Sequence, residues 1–237
     1  MIKVKDTDVV VIAISVFPSL KELGLEKMWI AFGQGKHSRW IPVHVVVNTI
    51  GPEKTRGLPF FHAFTGYDVV SAFRGRGKKC AWQTWNVCKE VSNTFAKLSQ
   101  CVPALDDTDL QNLEKFVVIM YDRSSASTSV NDARLNLFVQ KQRPYDAIPP
   151  TQSAVRLHAK RAIFQGGIIW VRQLSPGLTP IVQWNGDGSE KTTLRRYAGS
   201  TFHQLLQVVK NLLNVIARRL FPEMQVHSLW TELYSFV

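Results

Sequence analysis

Apolar and polar residues alternate in blocks along the first part of this chain, and the blocks predict strands and helices in turn. Residues 8–16 form an almost wholly apolar, β-branched run, which predicts a strand buried on both faces of a parallel sheet. A short helix is predicted over 19–25, a second strand over 27–32, and a helix from Pro42 to a stop at Gly51-Pro52. This succession of strands and helices predicts an α/β fold.

After residue 53 the apolar spacing becomes helical. The predicted helices cover residues 56–64, 78–88, 110–121, 130–139, 151–170 and 201–220. The first two flank a glycine turn at Gly75 and Gly77, which predicts a helical hairpin. Residues 173–199 are rich in Gly, Pro, Thr and Ser and predict a linker. We therefore expect an α/β region with a basic hairpin (1–100), a helical extension (101–172), the linker and an amphipathic C-terminal helix (200–237).

The net charge is strongly positive, because 29 Lys and Arg residues against 18 Asp and Glu give +11 and a pI near 9.8. Together with the glycine-rich basic turn, this excess predicts nucleic acid as the partner. Three cysteines without a CxxC pair indicate neither a disulfide framework nor a zinc site, so a reducing compartment is expected. No uninterrupted apolar run reaches the roughly 18 residues of a membrane span, so we expect a soluble, intracellular protein without a membrane partner.

Three aspartates are candidate metal ligands. Asp6 and Asp8 precede the apolar run, and in a strand they point to the same side, because strand side chains alternate with period two. Asp68 follows a second apolar segment and Gly66, which permits a sharp turn. Carboxylates so placed are suited to Mg²⁺ or Mn²⁺, which prefer oxygen ligands. The structural alternatives are surface turns for the pair and a helix N-cap for Asp68.

A glycine-rich basic turn follows Asp68. It consists of Arg74, Gly75, Arg76, Gly77, Lys78 and Lys79. Glycines permit close backbone approach, amides at a helix start bind phosphate, and the four cations neutralise its charge. A Walker loop is excluded because its spacing from Gly to Gly-Lys-Ser/Thr is absent. The turn predicts a grip on nucleic-acid backbone, with a solvated basic loop as the alternative.

These motifs resemble the second half of the flap endonucleases within the PIN-like nucleases. The resemblance is carried by Asp6-Thr7-Asp8, by Gly66-Tyr67-Asp68 and by Gly75-x-Gly77-Lys78. It implies that Asp6, Asp8 and Asp68 are catalytic ligands of Mg²⁺ or Mn²⁺, and that Gly75, Gly77, Lys78 and Lys79 hold duplex backbone. The fold that it implies is α/β, with a partial PIN-like parallel sheet, a helix-hairpin-helix-type element and appended α-helices.

A larger part of the chain resembles an uncharacterised animal family that is expanded in invertebrates. The motifs DTDVVVIAI, LPFFHAFTGYD and IPPTQSAVRLHAKRA carry this resemblance, which covers about residues 4–172. Tyr67 stands where that family has Cys, and 189–237 replace its Cys-rich tail. The flap endonuclease pattern also needs acidic ligands upstream of Asp6, and Met1 leaves no room for them. We therefore expect a truncated or degenerate nuclease relative that binds DNA rather than RNA, in the nucleus rather than the cytoplasm; enzymatic activity is left open.

The second hypothesis is a non-enzymatic interaction protein of mobile-element origin, in which the aspartates are caps and the charge is ordinary surface. The two hypotheses differ in whether Asp6, Asp8 and Asp68 converge to within about 4–8 Å, near the distance at which carboxylates share metal ions.

Several other polar and aromatic residues are predicted to have structural roles. His62 is expected to be a packed helix histidine, and Trp82 and Trp85 are expected in the core. The acidic residues Asp106, Asp107 and Asp109 predict a solvated helix start.

Overall fold

The computed structural model describes residues 2–67, 70–100, 105–140, 142–144, 147–170, 182–184 and 190–192. The chain divides into two compact units, one comprising Met1–His44 and Arg172–Val237 and the other Val45–Val171. Helices predominate in the described residues and are combined with short strands, which agrees with the α/β class in its broad sense. In this described part, no helix is both long and apolar enough to cross a membrane.

The first unit contains one long helix and a small mixed sheet. The elements are β1 (Ile2–Val4), α1 (Thr7–Glu22), β2 (Trp29–Phe32) and β3 (Arg39–Pro42). β1 runs parallel to β2, whereas β3 pairs antiparallel with β2 after a 3₁₀ turn at Gly35–His37. The predicted strand over 27–32 is thereby confirmed. Two further antiparallel strands, β4 (Val182–Trp184) and β5 (Glu190–Thr192), lie within the predicted linker.

The predicted strand over residues 8–16 is wrong, because these residues belong to α1. Every residue from 9 to 14 is buried, so the run has no polar face to reveal a helical period. The helix start is marked instead by Asp6 at the N-cap and Asp8 in the first turn, where carboxylates interact favourably with the helix dipole. The helix ends just before Gly24, which has a left-handed φ of 92°.

The second unit is helical, and its helices match most of the predicted ones. They are α2 (Val43–Phe64, which begins in the first unit), α3 (Lys78–Val87), α4 (Val91–Leu98), α5 (Asp107–Tyr121), α6 (Val130–Val139) and α7 (Gln152–Ala162), followed by a π-helical segment, Ile163–Ile169. α2 is interrupted at Gly51, whose φ of 81° is left-handed, where the sequence predicted a stop. The helix predicted over 201–220 lies outside the described residues.

An aromatic cluster forms the core of the second unit. Phe95 is fully buried, and its ring centroid lies 4.9 Å from that of Trp85 and 5.2 Å from that of Phe116. Trp85 donates its indole N–H to Ser92 Oγ at 2.9 Å, so burial leaves this polar group satisfied. Trp85 is therefore a core residue as predicted, whereas Trp82 is half-buried.

The π-helical segment lies close to the backbone of two helices. A Cβ atom added to Gly167 would stand 2.6 Å from the Leu98 carbonyl oxygen at the end of α4. One added to Gly166 would stand 3.0 Å from the Pro59 carbonyl oxygen in α2. Both glycines are thus needed for close packing, which places α7 and its histidine, His158, against the end of α2.

Candidate nucleic-acid interface

Residues 65–77 connect α2 to α3 and contain the predicted basic turn. Gly66 leaves the end of α2 with a left-handed φ of 107°. Tyr67 and Val70 then exchange two backbone hydrogen bonds of 3.0 and 2.8 Å, which close a tight loop. Asp68 lies outside the described residues. The two helices are therefore joined by a folded loop in which the glycine turn is only the last part.

The two glycines of the basic turn are open to the surroundings. Gly75 adopts a left-handed φ of 68°, and Gly77 is the N-cap of α3 with φ −76°. A Cβ atom added to either glycine would have no neighbour within 4 Å. The backbone at both glycines is thus exposed.

Two of the four predicted cations make contacts within the protein. The Lys78 ammonium donates to the His62 carbonyl at 2.7 Å and to Thr65 Oγ1 at 3.1 Å. It thereby binds the last turn of α2, whose carbonyls have no partner within the helix. Arg76 is half-buried against Tyr121, and its Nε is buried without a hydrogen-bond partner among the described residues. Both side chains hold the loop in place.

Tyr121, at the C-terminal end of α5, is where the basic side chains meet. Its carbonyl accepts from Arg76 Nη2 at 3.1 Å and from Arg143 Nη1 at 3.4 Å. The Arg76 guanidinium also lies 4.9 Å from the centre of the Tyr121 ring. The Tyr121 hydroxyl donates to the Arg74 carbonyl at 3.1 Å, and burial raises the pKa of this phenol. The C-terminal end of α5, which is the negative end of its dipole, therefore holds residues 65–77, which we call the basic loop.

Two exposed cations complete the arrangement. Lys79 lies in the first turn of α3, and Arg123 donates to Gln83 Oε1 of the same helix at 3.1 Å. We call Arg74, Arg76, Lys79, Arg123 and Arg143 the basic cluster. Asp122 contributes a carboxylate to this region, where it accepts from the Ser124 hydroxyl at 2.8 Å.

The aspartates predicted as metal ligands lie in a different local structure from the one expected. Asp6 is exposed at the N-cap of α1, and Asp8 is half-buried in its first turn. The strand geometry that would have aimed both carboxylates the same way does not exist. Among the described residues, no three His, Cys, Asp or Glu side chains are grouped as a metal site.

Two buried histidines lie beside the basic loop. His62 is 6 % exposed, and burial together with the Lys78 ammonium lowers its pKa to about 3. This confirms its predicted packing inside a helix. His158 of α7 is also buried, and burial lowers its pKa. Its Nε2 lies 2.7 Å from the Phe64 carbonyl, and its Nδ1 lies 3.1 Å from Ser71 Oγ. Both rings are therefore neutral near pH 7.

Sequence reasoning missed part of this arrangement. Arg123 and Arg143 belong to the basic cluster although they are distant in sequence from residues 74–79. The only sequence signal for the place where these cations meet was the predicted helix end at residue 121. The predicted solvated helix start is confirmed for Asp106 and Asp107, which are exposed, but not for Asp109. Asp109 is 4 % exposed and pairs with Lys97 at 2.7 Å, while Asp106 caps the helix by accepting from the Asp109 amide.

Comparisons with protein-family models, with curated proteins and with solved structures find no match to this chain.

Proposed function

We propose that this chain binds the sugar–phosphate backbone of nucleic acid, of DNA in preference to RNA, through the basic cluster. The observation that supports this most is the meeting of three separate basic segments, 74–79, Arg123 and Arg143, around Tyr121. Phosphate contacts by Lys and Arg supply most of the affinity of sequence-independent binding. A surface assembled from distant cations around an open glycine turn suits such contacts.

The basic side chains of this region have two roles: some fix the loop and others remain exposed. Arg76 and Lys78 are engaged within the protein and fix the loop between α2 and α3. Lys79 and Arg123 are exposed and are the side chains that we assign to phosphate. Gly77 opens α3 and gives a phosphate access to the first amides of that helix, whose dipole favours an anion.

The proposal extends to the ancestry of the chain. By its motifs we propose that the protein is a degenerate relative of PIN-like nucleases, with α2, residues 65–77 and α3 as its counterpart of the helix-hairpin-helix-type element. The parallel pair β1–β2 would be what remains of the PIN-like sheet. Backbone binding is the function that we propose to be retained, and the proposal does not include cleavage. DNA as the partner makes the nucleus the proposed location.

Divalent cation binding is a separate proposal, supported by the motif resemblance alone. Mg²⁺ or Mn²⁺ would be bound weakly, with Asp6, Asp8 and Asp68 as the candidate ligands. Calorimetric titration with MnCl₂ tests this by comparing the wild type with Asp6→Asn and Asp68→Asn. Weaker binding in both variants is expected, and unchanged heats would remove the metal from the account.

The experiment that tests backbone binding is a salt titration. Fluorescence anisotropy with two labelled DNA duplexes of unrelated sequence should give similar affinities. The logarithm of the association constant should fall linearly with the logarithm of the salt concentration. No binding at low salt, or binding to one sequence alone, would contradict the proposal.

A protein-interaction role is the second candidate, and α6 provides the observation that favours it. Leu135, Phe138 and Val139 are 63 %, 44 % and 60 % exposed. Their spacing of three and four residues places them on one stripe of the helix. Sedimentation of the wild type and of Leu135→Glu tests self-association through this stripe. A concentration-dependent dimer that the substitution dissolves would favour this candidate, and a monomer in both would count against it.

A further inference from the structure

Two large aromatic side chains are exposed on the sheet of the first unit. Trp29 is 45 % exposed and Trp40 is 55 % exposed. The register of β2 and β3 pairs Trp29 with Pro42 and Ala31 with Trp40. Because alternate strand residues share a face, Trp29 and Trp40 are diagonal neighbours on the same face. The opposite face carries Ile30, which is fully buried, whereas the tryptophan face combines the buried Ala31 with two exposed indole side chains.

The rings are presented by a rigid support. The Trp29 ring packs edge-on against the His44 ring, with centroids 5.4 Å apart. His44 is itself held by a contact of 3.1 Å between its Nδ1 and the Met28 carbonyl. The strands on which both indoles lie are paired along their length. A preorganised aromatic surface loses little conformational entropy when a flat ligand stacks on it.

The segment that contains the two tryptophans is positively charged. From Lys27 to His44 the sequence has three cations, Lys27, Lys36 and Arg39, and no Asp or Glu, while the exposed Glu26 directly precedes this segment. Lys36 is exposed in the turn that joins β2 to β3. The Arg39 guanidinium lies over the Phe32 ring on the opposite face, 5.4 Å from its centre, so Lys27 and Lys36 are the cations that we associate with the tryptophans. The ligand that suits this surface is flat, apolar on its faces and negatively charged.

We infer that Trp29 and Trp40 form a stacking platform for the unpaired bases of single-stranded nucleic acid. Bases stack on exposed aromatic rings whatever their sequence, and nearby cations bind the phosphates between them. In a duplex the faces of the bases are covered by neighbouring base pairs, so a duplex cannot stack its bases on Trp29 and Trp40. The site therefore differs in ligand from the basic cluster, and it goes beyond the duplex-backbone binding proposed above.

The test measures the binding of the full chain to a labelled 20-nucleotide oligothymidylate and, separately, to a labelled duplex. Trp40→Ala should weaken oligothymidylate binding by about 5- to 150-fold, the range that the loss of one stacked base corresponds to. Trp40→Phe, which keeps a smaller ring, should lose less. Duplex affinity should stay unchanged in both variants. The thermal unfolding midpoint of each variant verifies that this exposed position leaves the fold intact.

The two proposals fail in different ways. Lys79→Ala should weaken duplex binding and leave the Trp40 effect on oligothymidylate in place. The platform stands if oligothymidylate binding depends on Trp40, whether or not the duplex binds. It is overturned if the wild type does not bind oligothymidylate, if Trp40→Ala binds it as tightly as the wild type, or if this substitution weakens duplex binding equally.

Discussion

Ser71 and His158 join the basic loop to helix α7. Their side chains meet at 3.1 Å between Ser71 Oγ and His158 Nδ1, while His158 Nε2 lies 2.7 Å from the Phe64 carbonyl. A carbonyl only accepts, so Nε2 carries the proton and the Ser71 hydroxyl donates to Nδ1. One buried ring thus connects the end of α2, the loop and α7. The loop that carries Arg74 and Arg76 of the basic cluster is positioned by this bridge.

Removing the Ser71 hydroxyl should loosen the loop without unfolding the protein. Ser71 is exposed, and one hydrogen bond contributes about 1 kcal/mol, so Ser71→Ala should change the free energy of unfolding by that amount or less. Hydrogen exchange of the amides between residues 70 and 76 should become faster. Ser153→Ala, at an exposed serine of α7 whose hydroxyl contacts Thr151, is the matched control. Equal exchange in the two variants would show that the bridge does not restrain the loop.

Acidification should destabilise the protein through its buried histidines. The pKa of His62 is about 3 in the folded state, and that of His158 is also lowered, whereas an unfolded histidine titrates near 6.5. As the pH falls below 6.5, the unfolded chain takes up protons that the folded chain excludes, so stability is lost. Between pH 6.5 and 5 this loss approaches about 1.4 kcal/mol per pH unit for His62, and the lowered pKa of His158 acts in the same direction.

Urea unfolding at several pH values measures this effect. His62→Gln should reduce the slope of the free energy of unfolding against pH in that window. His37→Gln, at an exposed histidine, should leave the slope as in the wild type. A slope that His62→Gln does not alter would mean that this ring is accessible to protons in the folded protein.

Two glycines at either end of the loop should respond differently to alanine. Gly66 has φ 107°, and a Cβ atom there would stand 2.6 Å from Ala72 Cβ, so Gly66→Ala should cost about 2 kcal/mol or more. Gly77 has φ −76° and open space, so Gly77→Ala should leave stability within about 0.5 kcal/mol. The methyl group would still obstruct a phosphate at the start of α3. Unchanged duplex affinity in Gly77→Ala would remove this turn from the interface.

Sequence reasoning located correctly an element that begins at a capping residue. α6 has the predicted bounds of 130–139, and its start is capped by Ser129, whose side chain accepts from the Asn131 amide. α1 was predicted as a strand because a run that is buried on all sides has no periodicity to distinguish the two structures. The length of the apolar run does not by itself distinguish a buried helix from a buried strand.

From the sequence, only those residues of the candidate site that are neighbours in the chain could be predicted. The open glycines at 75 and 77 follow from local spacing, and the sequence placed them correctly in a turn. That Arg76 turns inward onto Tyr121 depends on contacts between residues far apart in the chain. The burial of Asp109 against Lys97 has the same origin. A motif names the residue types at a site, whereas tertiary contacts decide which of them stay available to a ligand.

The most direct test of backbone binding by the basic cluster compares two variants in the duplex salt titration. In Lys79→Ala/Arg123→Gln, two phosphate contacts are lost, so the negative slope of log association constant against log salt should become shallower by about 2. The control, Lys89→Ala, removes an exposed lysine just beyond the opposite end of α3, about 15 Å away along the helix. We predict a weaker and less salt-sensitive complex for the double variant, and the same affinity and slope as the wild type for the control. Equal slopes and affinities in all three proteins would contradict it.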